Sequence, residues 1–350
     1  MTRISSFLLA ITSITAVSAS SYLRKLDENT NDCNLSITDR RENTIPHDFP
    51  ETVWNACRDG SRLGVEDINE WYQAARANNV DNPVLTIQGG HIYMTEDYHA
   101  PFIQVLEGAT FSVQSTQIVR VGKIQGSSNG SSVLSITTPQ VVQFLSHIID
   151  MNIDIVARTT HVFYSSTITS PALAPVSIRV AGGMYPSHSE YFFKHHHGAK
   201  IDLPSSSSSI DLACQGNCGM TVIEDSIVAS GGVNVAIENG GKIIFRQVAS
   251  IEVFNSAAGI SIYGGDGGVW ADTNTKLVSG GDLSIHTKGG LLIGVDHVSM
   301  EVLHSAASID LRGEERNVIY PKAEFLGRCN GSGRLIVNGD EKPFTNCDRN

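Results

Sequence analysis

Residues 231–254 read GGVNVAIENGGKIIFRQVASIEVF. Three short apolar runs, VNV (233–235), IIF (243–245) and the residues 251–253, are separated by Gly, Asn, Arg and Gln. Short runs between turn residues are the signature of strands. The same unit recurs. Its first run returns as IDL (210–212), VNV (233–235), ISI (260–262), LSI (283–285), IDL (309–311) and LIV (335–337). The last residues of these triplets fall 23, 27, 23, 26 and 26 apart. A second run follows as MTV at 220, IIF at 243, VW at 269, LLI at 291 and VIY at 318. A third follows at Ile227–Val228, 251–253, Leu277–Val278, 300–302 and Phe325–Leu326. Three strands per turn at this period describe a solenoid of stacked parallel strands, in which neighbouring coils share a core that one coil alone could not bury.

The glycines agree with that reading. GGHIYM, GATFSV, GAKIDL, GGKIIF and GGLLI each put Gly at the corner before a strand, where φ > 0 costs a residue without Cβ nothing. Before residue 200 the spacing loosens, and LPSSSSSID and YPSHSEYFFKHHHG read as loops inserted into coils. Upstream, VEDINEWYQAARANN places Val65, Ile68, Trp71, Tyr72 and Ala75 on one helical face, with Asn78-Asn79 to end the helix. A solenoid end needs such a cover. The competing fold is an antiparallel sandwich or barrel, which also has many short strands.

From about residue 65 to 340 the chain resembles the right-handed parallel β-helix, pectin-lyase-like, superfamily in repeat period, corner glycines and helix-then-strand opening. The expected fold class is all-β: a right-handed parallel β-helix (solenoid) with an N-terminal capping helix. The expected organisation is a signal peptide at 1–19, a polar leader at 20–45, a cap at 46–82, the β-helix at 83–340 and a tail at 341–350. The superfamily includes lyases, hydrolases and non-enzymatic adhesins, so architecture does not choose among activities.

MTRISSFLLAITSITAVSAS opens with Arg3, an apolar run and the small-residue site Val17-Ser18-Ala19, the layout of a secretory signal. No later stretch reaches the roughly 18 apolar residues of a membrane span. Secretion, and no membrane insertion, is the expectation. Net charge is −11, which argues against nucleic acid as a partner. Six cysteines in a secreted chain suggest disulfides. Pairing between neighbours would give Cys33–Cys57, Cys214–Cys218 and Cys329–Cys347. Sequons at Asn34, Asn129 and Asn330 permit glycosylation in a eukaryote.

The stretch with the most chemistry to offer is GGDGGVWADTN (264–274). Val269-Trp270-Ala271-Asp272-Thr273 is similar to the pectate-lyase motif v-W-i-D-H, which implies that Asp272, with Asp266 nearby, would hold calcium for an Arg base. Thr273 replaces the His, and no R-x-P-x-x-R follows. The N-T-D, D-D, G-H-G and R-I-K motifs of polygalacturonases are missing too. Asp272 therefore reads as a turn residue, with Asp266 and Asp272 kept only as candidate metal ligands and no cofactor expected.

Other clusters have plain readings. His195-His196-His197 reads as an exposed polar loop in which His195 and His197 could share an ion. Asp150 and Asp154 read as solvent-facing positions of one strand, opposite Met151, Ile153 and Ile155. Asp296-His297 lacks a nucleophile partner, and Glu314-Glu315-Arg316 reads as a charged loop. Ser21-Tyr22-Leu23-Arg24, with Asp39-Arg40-Arg41-Glu42 behind it, resembles the R-x-L-R leader of secreted oomycete effectors, which implies action on or inside a host cell. The function expected is a secreted, non-enzymatic β-helix presenting a binding surface to a host or cell-wall protein or carbohydrate, as effector or adhesin. The alternative is a pectate-lyase-like carbohydrate-active enzyme.

Overall fold

The computed structural model describes residues 34–38, 43–56, 62–94, 97, 99–183, 190–294, 296–315, 317–328 and 331–348. The leader motif Ser21 to Arg24, Cys33, Cys57, Cys329, Asn330 and the side chain of Cys347 lie outside the described residues.

The chain is a long stack of parallel strands, solenoid-like, with three faces. One coil shows the plan: Val233–Asn239 on the first face, Ile243–Phe245 on the second, Ser250–Val253 on the third. Each strand pairs in parallel with its equivalent one coil before and one coil after. On the first face Ile210, Val233, Ile260, Leu283, Ile309 and Leu335 stand in register. On the second, Ile223, Phe245, Ala271, Ile293 and Ile319 do so. On the third, Ile227, Ile251, Leu277, Met300 and Phe325 do. Alternation explains the burial: Val233, Val235 and Ile237 point inward, while Asn234 and Ala236 point out. The antiparallel alternative is excluded for GGKIIF and IEVF, whose pairings are parallel on both sides.

Hydrogen bonding unites the first two faces into a sheet of 22 strands and leaves the third as a sheet of 11. The union comes from two long strands, Val133–Phe144 and Asn152–Val162, that run through the corner between the first and second faces. Buried hydroxyls satisfy carbonyls at that corner. Ser115 donates to Gly90 O, Thr138 to Gln117 O, and Thr287 to Gly265 O at 3.1 Å, since an unpaired buried carbonyl would cost stability.

Two details differ from the sequence reading. Tyr191–His195 is a strand of the second face, not an inserted loop. A register shift between Tyr191 and Phe193 lets both Phe192 and Phe193 face inward, which breaks the alternation a strand normally shows. Asp150 is no strand residue either. It is buried at φ 51°, in a turn, and accepts from the Ser170 hydroxyl at 2.9 Å. Asp154 does face outward, 3.9 Å from Arg179.

The helix Val65–Ala77 buries Val65, Ile68, Trp71, Tyr72 and Ala75. Its polar groups tie it to the first coils, where Tyr72 Oη donates to Thr110 O at 2.8 Å and Asn69 Nδ2 to Phe102 O at 2.9 Å, and to the segment before it, where Trp71 Nε1 donates to Pro46 O at 3.1 Å. At the other end Leu335–Val337 turns through Asn338 and Gly339, at φ 52° and 86°, into the antiparallel strand Asp340–Lys342. Asn-Gly with two positive φ values is the favoured two-residue hairpin turn. The strand Asn346–Asp348 then pairs in parallel with Ala323–Arg328.

Cys214 and Cys218 are joined by a disulfide that spans a bulge in Ser209–Asn217. Replacing both by Ser is expected to cost about 2 kcal/mol for so short a closed loop. The check is a lower denaturation midpoint at unchanged m-value; an unchanged midpoint would remove the disulfide from the account.

Candidate functional site

The outward central row of the second face is one ladder. It runs Tyr93, Arg120, Gln143, His161, Lys194, Val222, Ile244, Trp270, Leu292, Val318. Successive rungs stand about 4.8 Å apart, as strands in any sheet do. The first half is polar and aromatic. Arg120 lies over the Tyr93 ring, 4.9 Å from its centroid, and its Nε donates to Gln143 Oε1 at 3.1 Å. The second half is apolar; Val222 is buried, Ile244, Leu292 and Val318 are half-buried and Trp270 is exposed. Lys242 Nζ sits 3.5 Å from the centroid of the Trp270 ring, a cation–π contact that fixes the indole as a platform.

Beside this ladder, at the corner after each second-face strand, runs a column of charged groups. Registered coil by coil, His196, Glu224, Arg246 and Asp272 each follow an inward residue of the same row, His195, Ile223, Phe245 and Ala271. Backbone bonds repeat along it: Glu224 N to His195 O, Arg246 N to Ile223 O, Asp272 N to Phe245 O. Glu224 is nearly buried and accepts from Arg246 Nε at 2.8 Å and Nη2 at 2.6 Å, with Lys194 Nζ at 4.0 Å. Burial pushes its carboxyl up, but the Arg246 hydrogen bond and the Lys194 charge outweigh that and hold it below its ordinary range. Lys194 also lies over Tyr191, 4.8 Å from the centroid. His197 Nδ1 is 3.2 Å from Asp225 Oδ2.

His161 Nδ1 and His196 Nε2 meet at 3.0 Å, and the Phe163 ring stacks on His196 at 4.6 Å. The ring centroids of the two histidines are 5.3 Å apart. That is about the nitrogen separation plus two ring radii, so the nitrogens point head-on at each other. Two imidazoles sharing one ion head-on would stand about 4 Å apart, at roughly 2 Å per metal–nitrogen bond. The pair is therefore a hydrogen bond. Burial first, then the charges of His196 and Lys194, lower the His161 pKa to about 4; burial lowers that of His196 as well.

His195 is the surprise of the HHH run. It is fully buried in the core, on the inward row with Val162, Ile223 and Phe245. Among the described residues neither ring nitrogen has a partner, and the hydroxyls of Thr160 and Thr221, one row away, have none either. Strand alternation explains why the expectation of an exposed loop fails: His195 and His197 do not share a face with solvent, because His195 still belongs to the strand and His197 lies past it.

Asp266 and Asp272 are separated by the strand Val269–Ala271 and occupy the corners at its two ends. Asp266 is exposed between glycines, and Asp272 accepts from the Thr273 hydroxyl at 3.1 Å. Among the described residues no group of three or more His, Cys, Asp or Glu is placed to hold a metal ion. Asp296 is bound to Lys322 Nζ at 2.7 Å, with His297 Nε2 at 3.4 Å.

On the first face, Tyr263, His286 and Arg312 stand in register and line a shallow groove of about 390 Å³ with Glu314 and Asn338. Arg312 is held by Asp310 through Nε at 3.0 Å and Nη2 at 2.8 Å, and His286 Nε2 lies 3.2 Å from the same carboxylate. Glu224, Arg246 and Lys194, the heart of the second-face site, were not singled out from sequence. Stepping back one coil at a time from Asp272 finds Arg246 and then Glu224. Comparison of the chain with protein-family models, with curated proteins and with solved structures finds no match.

Proposed function

We propose that this is a secreted, non-enzymatic, right-handed parallel β-helix of the pectin-lyase-like kind, closed at its N-terminal end by the helix Val65–Ala77. Its second face is a binding surface for a partner outside the producing cell, on a host cell or its wall. The resemblance of Ser21 to Arg24 to an effector leader supports a host-directed role. The observation that carries the reading is the ladder itself: a row of ten rungs, polar in its first half and apolar in its second, with an exposed Trp270 braced by Lys242 in the middle of the apolar half. Beside it Glu224 is engaged by Arg246 and Lys194, and on the first face Asp310 is engaged by Arg312. Paired groups of this kind give register and specificity rather than acid–base catalysis.

One observation favours the alternative of a lyase. The corner column puts Arg246 one coil from Asp272, an arginine near the carboxylate that the pectate-lyase resemblance singles out. Against it, Arg246 gives two hydrogen bonds to Glu224, which engage the guanidinium away from Asp272.

The test is retention of the purified protein on host cell-wall and cell-surface fractions. Trp270→Ala is expected to weaken binding about tenfold or more, as loss of an exposed aromatic anchor does. Asp272→Ala should leave it unchanged. Equal binding by wild type and Trp270→Ala would take the second face out of the reading.

A further inference from the structure

The sequon Asn129-Gly130-Ser131 lies in an exposed turn between the third-face strand Ile124–Gln125 and the first-face strand Val133–Phe144. Here we infer a modification site that rests on the secretory reading: Asn129 carries an N-linked glycan, on the corner of the solenoid that does not border the second face.

The turn is arranged around the Asn129 amide. Asn129 Oδ1 accepts from the Ser131 backbone N–H at 3.0 Å and from the Ser131 hydroxyl at 2.8 Å. The hydroxyl that defines the sequon thus already addresses the amide to be modified. Gly130 supplies the positive φ, 71°, that closes the turn. Asn129 Nδ2 donates one hydrogen to Glu107 Oε1 at 2.5 Å. An amide nitrogen has two hydrogens, so one is left for substitution. In transfer from a polyprenyl-diphosphate-linked oligosaccharide, Nδ2 attacks the anomeric carbon and gives up that proton to solvent water. The bond from this carbon to the diphosphate oxygen breaks, and the diphosphate leaves with the electron pair. The product keeps the Glu107 hydrogen bond and the bonds that Ser131 and the Ser127 hydroxyl donate to Oδ1, so the folded turn accepts the glycan without rearrangement. Asn34-Leu35-Ser36 offers no such turn: it is extended in the strand Asn34–Ile37, with Leu35 fully buried.

The test expresses the full chain in a eukaryotic secretory host behind that host's own secretory leader, so that entry does not depend on residues 1–19. Peptides are mapped before and after peptide-N-glycosidase treatment in heavy-oxygen water. The expected result is Asn129 converted to a labelled Asp, with the mass shift lost in Asn129→Gln and Ser131→Ala and kept in Ser131→Thr. Because the glycan points away from the second face, the glycosylated protein and Ser131→Ala should bind cell-surface fractions alike. Recovery of the Asn129 peptide only in unmodified form from secreted wild-type protein would overturn the inference. That outcome leaves the binding-surface reading standing, which falls instead to the Trp270→Ala comparison.

Discussion

Lowering the pH from about 7.5 to about 4.5 is expected to remove on the order of 2 to 3 kcal/mol of folding stability through His195 alone. Burial is the main cause that lowers its pKa to about 4 from an ordinary value of 6.5; the charge of His196 adds to it, while Asp225 and Glu224 oppose it. The sign follows from proton counts. Below about pH 6.5 the unfolded chain takes up a proton at this imidazole, and the folded chain does not until about pH 4. Stability is therefore whole above pH 6.5, falls through that window, and stops falling below about pH 4. His161, also lowered to about 4 but partly exposed, acts in the same direction with a smaller, solvent-screened share. Denaturant titrations followed by tryptophan fluorescence at several pH values would measure this. His195→Leu should flatten most of the pH dependence. It should also raise stability at neutral pH by about 1 kcal/mol, because two unpartnered ring nitrogens leave the core. A wild-type profile identical to that of His195→Leu would show that the imidazole is not buried neutral.

The second large effect lies in GGDGG (264–268). Gly268 has φ 78°, and a Cβ built there would lie 2.4 Å from Gly290 O on the next coil. Real Cβ atoms essentially never approach within 3.0 Å. Gly268→Ala therefore has to push two coils apart at a parallel strand pair, and is expected to cost about 3 kcal/mol or more, beyond the 1 to 2 kcal/mol of the left-handed backbone alone. Gly339 is the control. Its φ is 86° but nothing lies within 4 Å of a built Cβ, so Gly339→Ala should cost only the backbone share. Thermal or chemical unfolding of the two variants separates the terms. Equal losses would mean that coil packing at this corner is looser than described.

How much of this could be read from sequence depended on the corners. From Ile210 onward each coil has turn residues at its corners and clean alternation between them, so the triplets predicted the register of the first and third faces. Between Val133 and Val162 the corner falls at Thr138-Pro139-Gln140 and at Arg158 inside continuous strands, and one proline in an unbroken apolar alternation is too little punctuation to place it. At Tyr191–His195 a bulge buries two adjacent phenylalanines and pulls His195 inward, so a polar run passed for a loop. The Asn338-Gly339 hairpin carries its own signal, Asn-Gly between two short runs. The candidate site was not legible, because Glu224 and Arg246 are single charges 22 residues apart whose meeting depends on coil length.

The claim that most needs a direct test is that this solenoid binds and does not cleave. The measurement is unsaturated-uronide absorbance from polygalacturonate with calcium at alkaline pH, using wild type, Asp272→Ala and Arg246→Gln. The account predicts no absorbance from any of the three. Absorbance from the wild type that Asp272→Ala and Arg246→Gln both abolish would contradict it and make the corner column a lyase site.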